Sequence, residues 1–279
     1  MTVVSVGDVR RTCGITDKIM DDDDVSFIIT EATSEVDNYL NTAVEPKTII
    51  EYRDAPAGST STEILMLLNK PILQVKSISI DGTSVSPKYT RLTPDTGKLL
   101  LINDAEASPW NASGEQANII KYVYGTLEET NTETTVTTAV TTPTTSYSIT
   151  VASSAGIVVN DWVRIKSTDG YDETTKVTAV ADTTHITVDL ALPHEAASQV
   201  VLMRTPTIVK RLVNIIASLM LIARQVGASF EDIVGYGLGD ENIQKGEPYT
   251  QWREAHVELE KERKLVLSML RPLPAIAVA

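Results

Sequence analysis

The sequence predicts an α+β protein in which N- and C-terminal helices form one helical body, carrying an antiparallel β excursion and an inserted small β-barrel-like domain. Three observations predict it. Apolar residues recur at three- and four-residue steps near both ends of the chain; between about residues 48 and 125 the period drops to two; and a second series of short strands fills residues 130–203. Helices at the two ends carry apolar stripes that must be covered, and the simplest arrangement covers them with one another. Residues 1–129 with 204–279 are therefore expected to form the body, and 130–203 the insert.

Ser5 caps a first helix that runs to Cys13 and ends at Gly14, since glycine accepts the left-handed conformation a helix C-terminus needs. The run Asp21 to Asp24 starts a second, with Val25, Ile28, Ile29, Ala32, Val36, Tyr39 and Leu40 on one face, ending before Pro46. Strands follow at Ile49 to Tyr52, Ile64 to Leu68 and Ile72 to Ile80, the last turning at Asp81-Gly82, a pair suited to the positive φ of a tight hairpin. Tyr89 to Leu92, Leu99 to Ile102 and Ile119 to Tyr124 complete the excursion, with a turn at Pro94 to Gly97.

Thr126 to Thr145 is rich in threonine and nearly devoid of large apolar side chains, which reads as a linker or an exposed edge. Ile149 to Val151, Trp162 to Ile165, Lys176 to Val180, Ile186 to Leu190 and Val200 to Met203 alternate with turn signals and predict the barrel-like insert. Thr205-Pro206 opens a long helix expected to close at Gly227, and its apolar residues between Ile208 and Val226 cover more than one stripe. That helix is expected to be packed from several sides. A glycine-rich connection, Gly235 to Gly246, leads to Pro248 and a last helix with near-heptad spacing from Tyr249 to Leu270, an expected Glu260–Lys264 pair and an end at Pro272. The tail from Leu273 to Ala279 carries no charged side chain, which points to docking rather than solvation.

Composition excludes several function classes. With 279 residues, 42% hydrophobic and 22% charged, the chain has material for a core and is not disordered as a whole. Its 24 bases against 37 acids leave a net charge of −13, which argues against binding nucleic acid through a basic surface. Ten acids against three bases up to Pro46 place about half of that charge in the first sixth of the chain. One cysteine, Cys13, rules out an internal disulfide and a cysteine-rich zinc site. No leader pattern opens the sequence, and Lys210, Arg211, Asn214 and Arg224 interrupt its most apolar window, so neither export nor a membrane span is expected.

Catalytic motifs are missing where they would be sought. His185, His194 and His256 lie far apart; His194-Glu195 lacks the second histidine of a zinc protease, and His256-Val257-Glu258 lacks the cysteine pair of a deaminase. Gly235 to Gly239 has the wrong spacing for a dinucleotide loop, Gly227 to Glu231 lacks the last glycine of a nucleophile elbow, and no phosphate-binding loop occurs. Asp21 to Asp24 lack the alternate spacing of a calcium loop. No metal, cofactor or enzymatic activity is expected, although carboxylates such as Asp161, Asp169 and Asp172 leave an enzyme open, since a carboxylate pair needs no linear motif.

Three segments resemble the head–tail connector (adaptor) family of tailed bacteriophages: Val6 to Arg10 with the helix Asp23 to Leu40, the excursion Lys70 to Ile78 with Ile80-Asp81-Gly82 and Asp95 to Leu99, and the two C-terminal helices. The insert from Thr130 to Met203 departs from the small adaptors, and its Gly156 to Ile165 run is similar to small barrel modules of virion proteins. The resemblance implies a structural virion protein at the head–tail interface, assembled in the host cytoplasm. It implies a homo-oligomeric ring of about twelve copies beneath the portal protein, extending the DNA channel and offering a platform to a stopper or tail-completion protein. Packaged double-stranded DNA would pass through the lumen without specific binding. In that family the carboxyl-terminal segment inserts among portal subunits, a role that would fall here to Val266, Leu267, Leu270, Leu273, Pro274 and Ile276. Another neck or tail-completion ring component is the alternative within the same class.

Overall fold

The computed structural model describes residues 3–15, 19–54, 64–101, 118–167, 172–232 and 247–270, and within them four α-helices and thirteen strands, an α+β fold with antiparallel sheets. The chain divides into two compact units, Met1–Asn41 with Pro206–Ala279, and Thr42–Thr205. The helices of both termini thus share one unit, and the β excursion groups with the second series of strands.

In the helical unit, α1 (Val6–Cys13) begins where the Ser5 side chain accepts from the Asp8 N–H and ends at Gly14, whose φ of 70° lets its N–H return to the Arg10 carbonyl. Helix α2 (Asp22–Leu40) is capped by Asp21, which accepts from the Asp24 N–H at 2.8 Å, and closes on Asn41 in the left-handed conformation. Val25, Ile28, Ile29, Ala32 and Val36 are buried, as their spacing requires, whereas Tyr39 at the end of the stripe is exposed. The third helix, α3 (Thr207–Asp232), does not stop at Gly227. A glycine inside a helix costs only about 1 kcal/mol against alanine, and the following Ala228-Ser229-Phe230-Glu231 contains no breaker, so the helix continues.

Helix α3 packs against α1, α2 and α4 (Glu247–Leu270). Its buried residues Val209, Leu212, Val213, Ile215, Ile216, Leu219, Leu221 and Ile222 occupy nearly every direction around the axis. Polar ties fix the surrounding helices: Asn214 Nδ2 donates to Thr12 Oγ1 at 2.8 Å, Arg211 pairs with Glu262 at 2.6 Å, and Arg10 joins Asp22 at 2.6 Å and the Met20 carbonyl at 2.7 Å. Among the described residues no helix is long and apolar enough to cross a membrane.

In the β unit, a four-stranded sheet has the order β1 (Lys47–Arg53), β7 (Asn118–Tyr124), β3 (Ile72–Ile80), β4 (Thr83–Val85). The β3–β4 hairpin turns on Asp81 and Gly82 at φ of 50° and 76°, with Ile80 opposite Thr83. A three-stranded sheet has the order β2 (Ile64–Met66), β6 (Lys98–Leu101), β5 (Thr90–Thr93). Leu65, Leu67, Ile72, Ile78, Leu99, Leu101, Ile120 and Tyr122 are buried in one core.

The second strand series forms a six-stranded antiparallel sheet ordered β8 (Glu128–Thr135), β13 (Gln199–Arg204), β10 (Trp162–Lys166), β11 (Glu173–Val180), β12 (His185–Val188), β9 (Tyr147–Thr150). Immediately past β8 and β9, Val136 and Val151 form a bridge, with the Thr137 N–H on the Thr150 carbonyl at 2.8 Å and the Ala152 N–H on the Thr135 carbonyl at 2.9 Å. The two end strands of the sheet therefore meet at this point around Ile149, Val163, Ile165, Val177, Ile186, Val188, Val200 and Leu202. Part of the threonine-rich segment is thus strand β8, an end strand in which β-branched side chains fit a pleated, half-exposed surface.

Gly97 shows a local constraint. Its φ is 71°, and an added Cβ would lie 2.7 Å from the Leu67 carbonyl oxygen, while its own carbonyl accepts from the Leu67 N–H at 2.9 Å. Gly97→Ala is expected to lower the urea unfolding free energy by about 2 kcal/mol or more, from left-handed strain plus the clash; an unchanged midpoint and slope would show that the turn relaxes freely.

Candidate interaction surface

The last helix carries the residues the sequence points to. Leu259 and Val266, seven residues apart, are the buried apolar positions among the described side chains of α4, the helix that packs on α3. Val266 at 2% exposure is therefore part of the chain's own core. Leu267 and Leu270 are half-buried, and Leu273, Pro274 and Ile276 lie outside the described residues. The apolar side chains that α4 presents outward are instead Val257, Leu265 and Met269, at 46%, 53% and 61% exposure. Glu260 bonds Arg263 at 3.0 Å and Glu258 bonds Lys261 at 2.6 Å, so the expected Glu260–Lys264 pair is replaced by i,i+3 pairs.

The N-terminal acids serve α2. Asp21 caps it, Asp22 pairs with Arg10, and Asp24 lies 4.0 Å from Arg224, an arrangement that favours carboxylates at the positive end of the helix dipole. No basic residue occurs along α2. Glu31 and Glu35 are exposed on it, with Phe27 and Tyr39 at 56% and 43% exposure at either end of that face.

Among the described residues no three of His, Cys, Asp and Glu are grouped to hold a metal ion. His256 lies half-buried on α4. His185 Nδ1 lies 2.9 Å from the carboxylate of Asp182, which also accepts from the Thr184 N–H at 2.7 Å; chiefly that backbone bond, aided by His185, pulls the Asp182 carboxyl down to about 2. Of the carboxylates considered for catalysis, Asp161 is buried and accepts from the Val158 N–H at 3.0 Å within its own turn, Asp172 pairs with Arg164 at 2.8 Å, and Asp169 lies outside the described residues.

His194 is the exception, because the fold builds a polar node around it. Glu173, the first residue of β11, is buried, and its carboxylate accepts from Gln74 Nε2 and from the N–H groups of Ala191 at 2.8 Å and Leu192 at 3.0 Å. His194 Nε2 lies 3.2 Å from the same carboxylate, while Nδ1 lies 2.8 Å from Ser167 Oγ. Ser167 Oγ is 3.2 Å from Ser198 Oγ, whose hydroxyl donates to the Glu195 carbonyl at 2.7 Å. Ser167, His194 and Glu173 stand in the order of a hydrolase triad, but all three are buried and the carboxylate is filled by backbone donors. The geometry ties segments together: Gln74 reaches Glu173 from β3, so one carboxylate joins the excursion to the insert. No linear spacing announces this node; its trace in the sequence is a lone glutamate at the start of a strand and a histidine in a loop.

A second node holds the four-stranded sheet to the loop after β2. The buried Glu51 carboxylate accepts from the Tyr122 hydroxyl, from Arg53 Nε and from the Leu68 N–H at 3.2 Å, and Asn69 donates to the Tyr122 oxygen at 3.3 Å. Burial, reinforced by the bond to Glu51, pushes the Tyr122 hydroxyl up to about 12.

No family model matches this chain, and no protein of curated function matches it.

Removing the Glu173 carboxylate takes the acceptor from Gln74 Nε2 and from the part-buried N–H groups of Ala191 and Leu192, and the partner from His194 Nε2, so Glu173→Ala is expected to cost about 3–5 kcal/mol in urea unfolding. Truncating the half-exposed Glu129, which pairs with Lys166 at 2.7 Å and Arg164 at 3.4 Å, is expected to cost less than about 1 kcal/mol. Equal losses would mean that the node has no special weight. Tyr122 makes a pH-dependent contribution: with the folded value raised above the ordinary 10.0, it is fully present below about 10 and is lost as the pH rises through about 12. Ultraviolet titration should show a phenolate step near 12 that disappears in Tyr122→Phe; its persistence in that variant would assign it elsewhere.

Proposed function

We propose that this chain is a structural protein of a tailed-bacteriophage virion, a head–tail connector that forms a ring of about twelve copies under the portal protein and carries the next neck component. The observation that carries the reading is the helical unit built from both chain ends around α3, with all 164 residues of the β unit lying in sequence between α2 and α3. A scaffold of that kind offers β structure to partners while α1, α2, α3 and α4 stay together in one helical unit. The outward Leu265 and Met269 lead into the uncharged tail, which supports the end of α4 and the tail as the portal-docking element, with Leu267, Leu270, Leu273, Pro274 and Ile276 in it. Val266 supports the same element from inside, as its anchor to α3.

An acidic ring also suits the passage of DNA. With a net charge of −13 the protein lacks the excess of Lys and Arg that would form phosphate contacts and hold the duplex. In this reading the chain performs no chemistry, needs no metal or cofactor, and works through surfaces in the cytoplasm of the host and then in the virion.

The test is electron microscopy of the chain co-expressed with a portal protein, alongside a chain truncated after Arg271. A symmetric layer added to the portal by the full chain and lost on truncation is the expected outcome. Two folded proteins that both leave the portal bare would overturn the reading.

A further inference from the structure

Four short contacts run in an unbroken row through the interior of the β unit. His194 Nε2 lies 3.2 Å from the Glu173 carboxylate and Nδ1 lies 2.8 Å from Ser167 Oγ; Ser167 Oγ lies 3.2 Å from Ser198 Oγ, which lies 2.7 Å from the Glu195 carbonyl oxygen. Each contact needs one hydrogen between its two heavy atoms, because facing lone pairs repel. An ionised Glu173 and a neutral imidazole bring only three hydrogens to the row, one on the ring and one on each serine. However the hydroxyls turn, one contact is then left without a hydrogen. A doubly protonated ring brings the fourth, and the row closes in one direction: Nε2–H to Glu173, Nδ1–H to Ser167, Ser167 to Ser198, and Ser198 to the Glu195 carbonyl.

Charge burial leads to the same assignment. The side chains of His194 and Glu173 are 0% and 1% exposed, a depth at which a carboxylate without a counter-charge is costly. The Glu173 oxygens already accept from Gln74 Nε2 and from the N–H groups of Ala191 and Leu192, the arrangement of an ionised carboxylate, so the fourth hydrogen belongs to the ring. Charged side chains on the neighbouring strands are engaged elsewhere: Asp172 with Arg164 at 2.8 Å, Lys166 with Glu129 at 2.7 Å, and Glu133 with Gln199 at 2.6 Å. Glu195, next to His194, is exposed, Lys76 on β3 is half-buried, and Val140, whose backbone bridges that of His194, brings no charge. Among the described residues Glu173 is the charged group in hydrogen-bond contact with the ring.

We propose that the Glu173–His194 pair is a proton-binding site: at neutral pH His194 is an imidazolium, and the bound proton completes the clasp through which Glu173 holds Gln74 of the excursion to the insert. Glu173 and Gln74 also form part of the wall of a cleft, which brings solvent to that side of the pair. In the unfolded chain a histidine ring titrates at about 6.5, so unfolding above that pH releases a proton that the folded chain retains. The folded state then binds more protons than the unfolded one, and the stability supplied by the clasp, full below about 6.5, declines as the pH rises. The inference concerns the interior of one subunit and does not rest on the connector reading; a portal left bare would not touch it.

The experiment is nitrogen-15 NMR of the full chain, labelled in its histidine rings, at about pH 7.5. His185→Gln and His256→Gln identify the signals of the other two histidines and leave those of His194. Both ring nitrogens of His194 are expected to carry hydrogen. One bare nitrogen overturns the proposal, a bare Nδ1 most directly, because a neutral ring would then be accepting from Ser167. Proton release on unfolding at the same pH is the second measurement: wild type is expected to release about one proton more than His194→Gln, the other titrating groups cancelling in the difference. Equal release by the two folded proteins overturns the proposal, and if His194→Gln does not fold, the spectrum of the wild-type ring decides alone.

Discussion

An α-helix whose apolar side chains point in nearly every direction is stable in water only when other structure surrounds it, and α3 imposes that condition on the helical unit. Burying each Leu, Ile or Val contributes roughly 1.5–3 kcal/mol, so the residues from Val209 to Ile222 dominate the stability of the unit. Helices α1 and α2 cover some of its sides and α4 another. None of the three has comparable apolar surface: α1 buries only Val9 and Cys13, and the described core of α4 is Leu259 and Val266. The surrounding helices depend on α3, which leaves their outer faces available for charge and for partners.

The β unit depends on a different kind of constraint. Its two cores, one around Ile72 and Tyr122 and the other around Ile165 and Val200, are separate clusters. Nondirectional burial holds each together without specifying how one attaches to the other. Directional bonds to Glu173 supply that specification, since a carboxylate that accepts from Gln74, Ala191 and Leu192 tolerates little displacement of any of them. Glu51 does the same between β1, β7 and the loop at Leu68.

Features governed by local rules were legible in the sequence. Caps at Ser5 and Asp21, the stop at Gly14, the buried positions of α2 and the Asp81-Gly82 hairpin follow from side-chain chemistry within a few residues. The encirclement of α3 followed from the width of its apolar surface. What escaped depends on long-range context. Gly227 permits a helix end without enforcing one, threonine serves a linker or an end strand equally well, and Tyr39 continues the spacing of the α2 stripe past the point where anything covers it. The Glu173 node joins residues 74, 167, 173, 194 and 198, and no local pattern encodes such a meeting. Among the candidate contact residues, near-heptad spacing placed Val266 on the apolar side of α4, and the same spacing aims it inward at α3.

The placement of α2 and α3 on opposite sides of the β unit in sequence sets a timetable for synthesis. Residues Val25, Ile28, Ile29, Ala32 and Val36 leave the ribosome ahead of the whole of Thr42–Thr205, which must emerge before α3 does. At roughly 5–20 residues per second that interval is about eight to thirty-three seconds, during which the stripe of α2 lacks its main partner, α3. The nascent α2 segment thus carries an exposed apolar stripe countered by its own charge, because acids crowd the same short segment and repel other nascent copies. Carboxylates that cap and tie down α2 in the finished molecule also set unfinished copies apart.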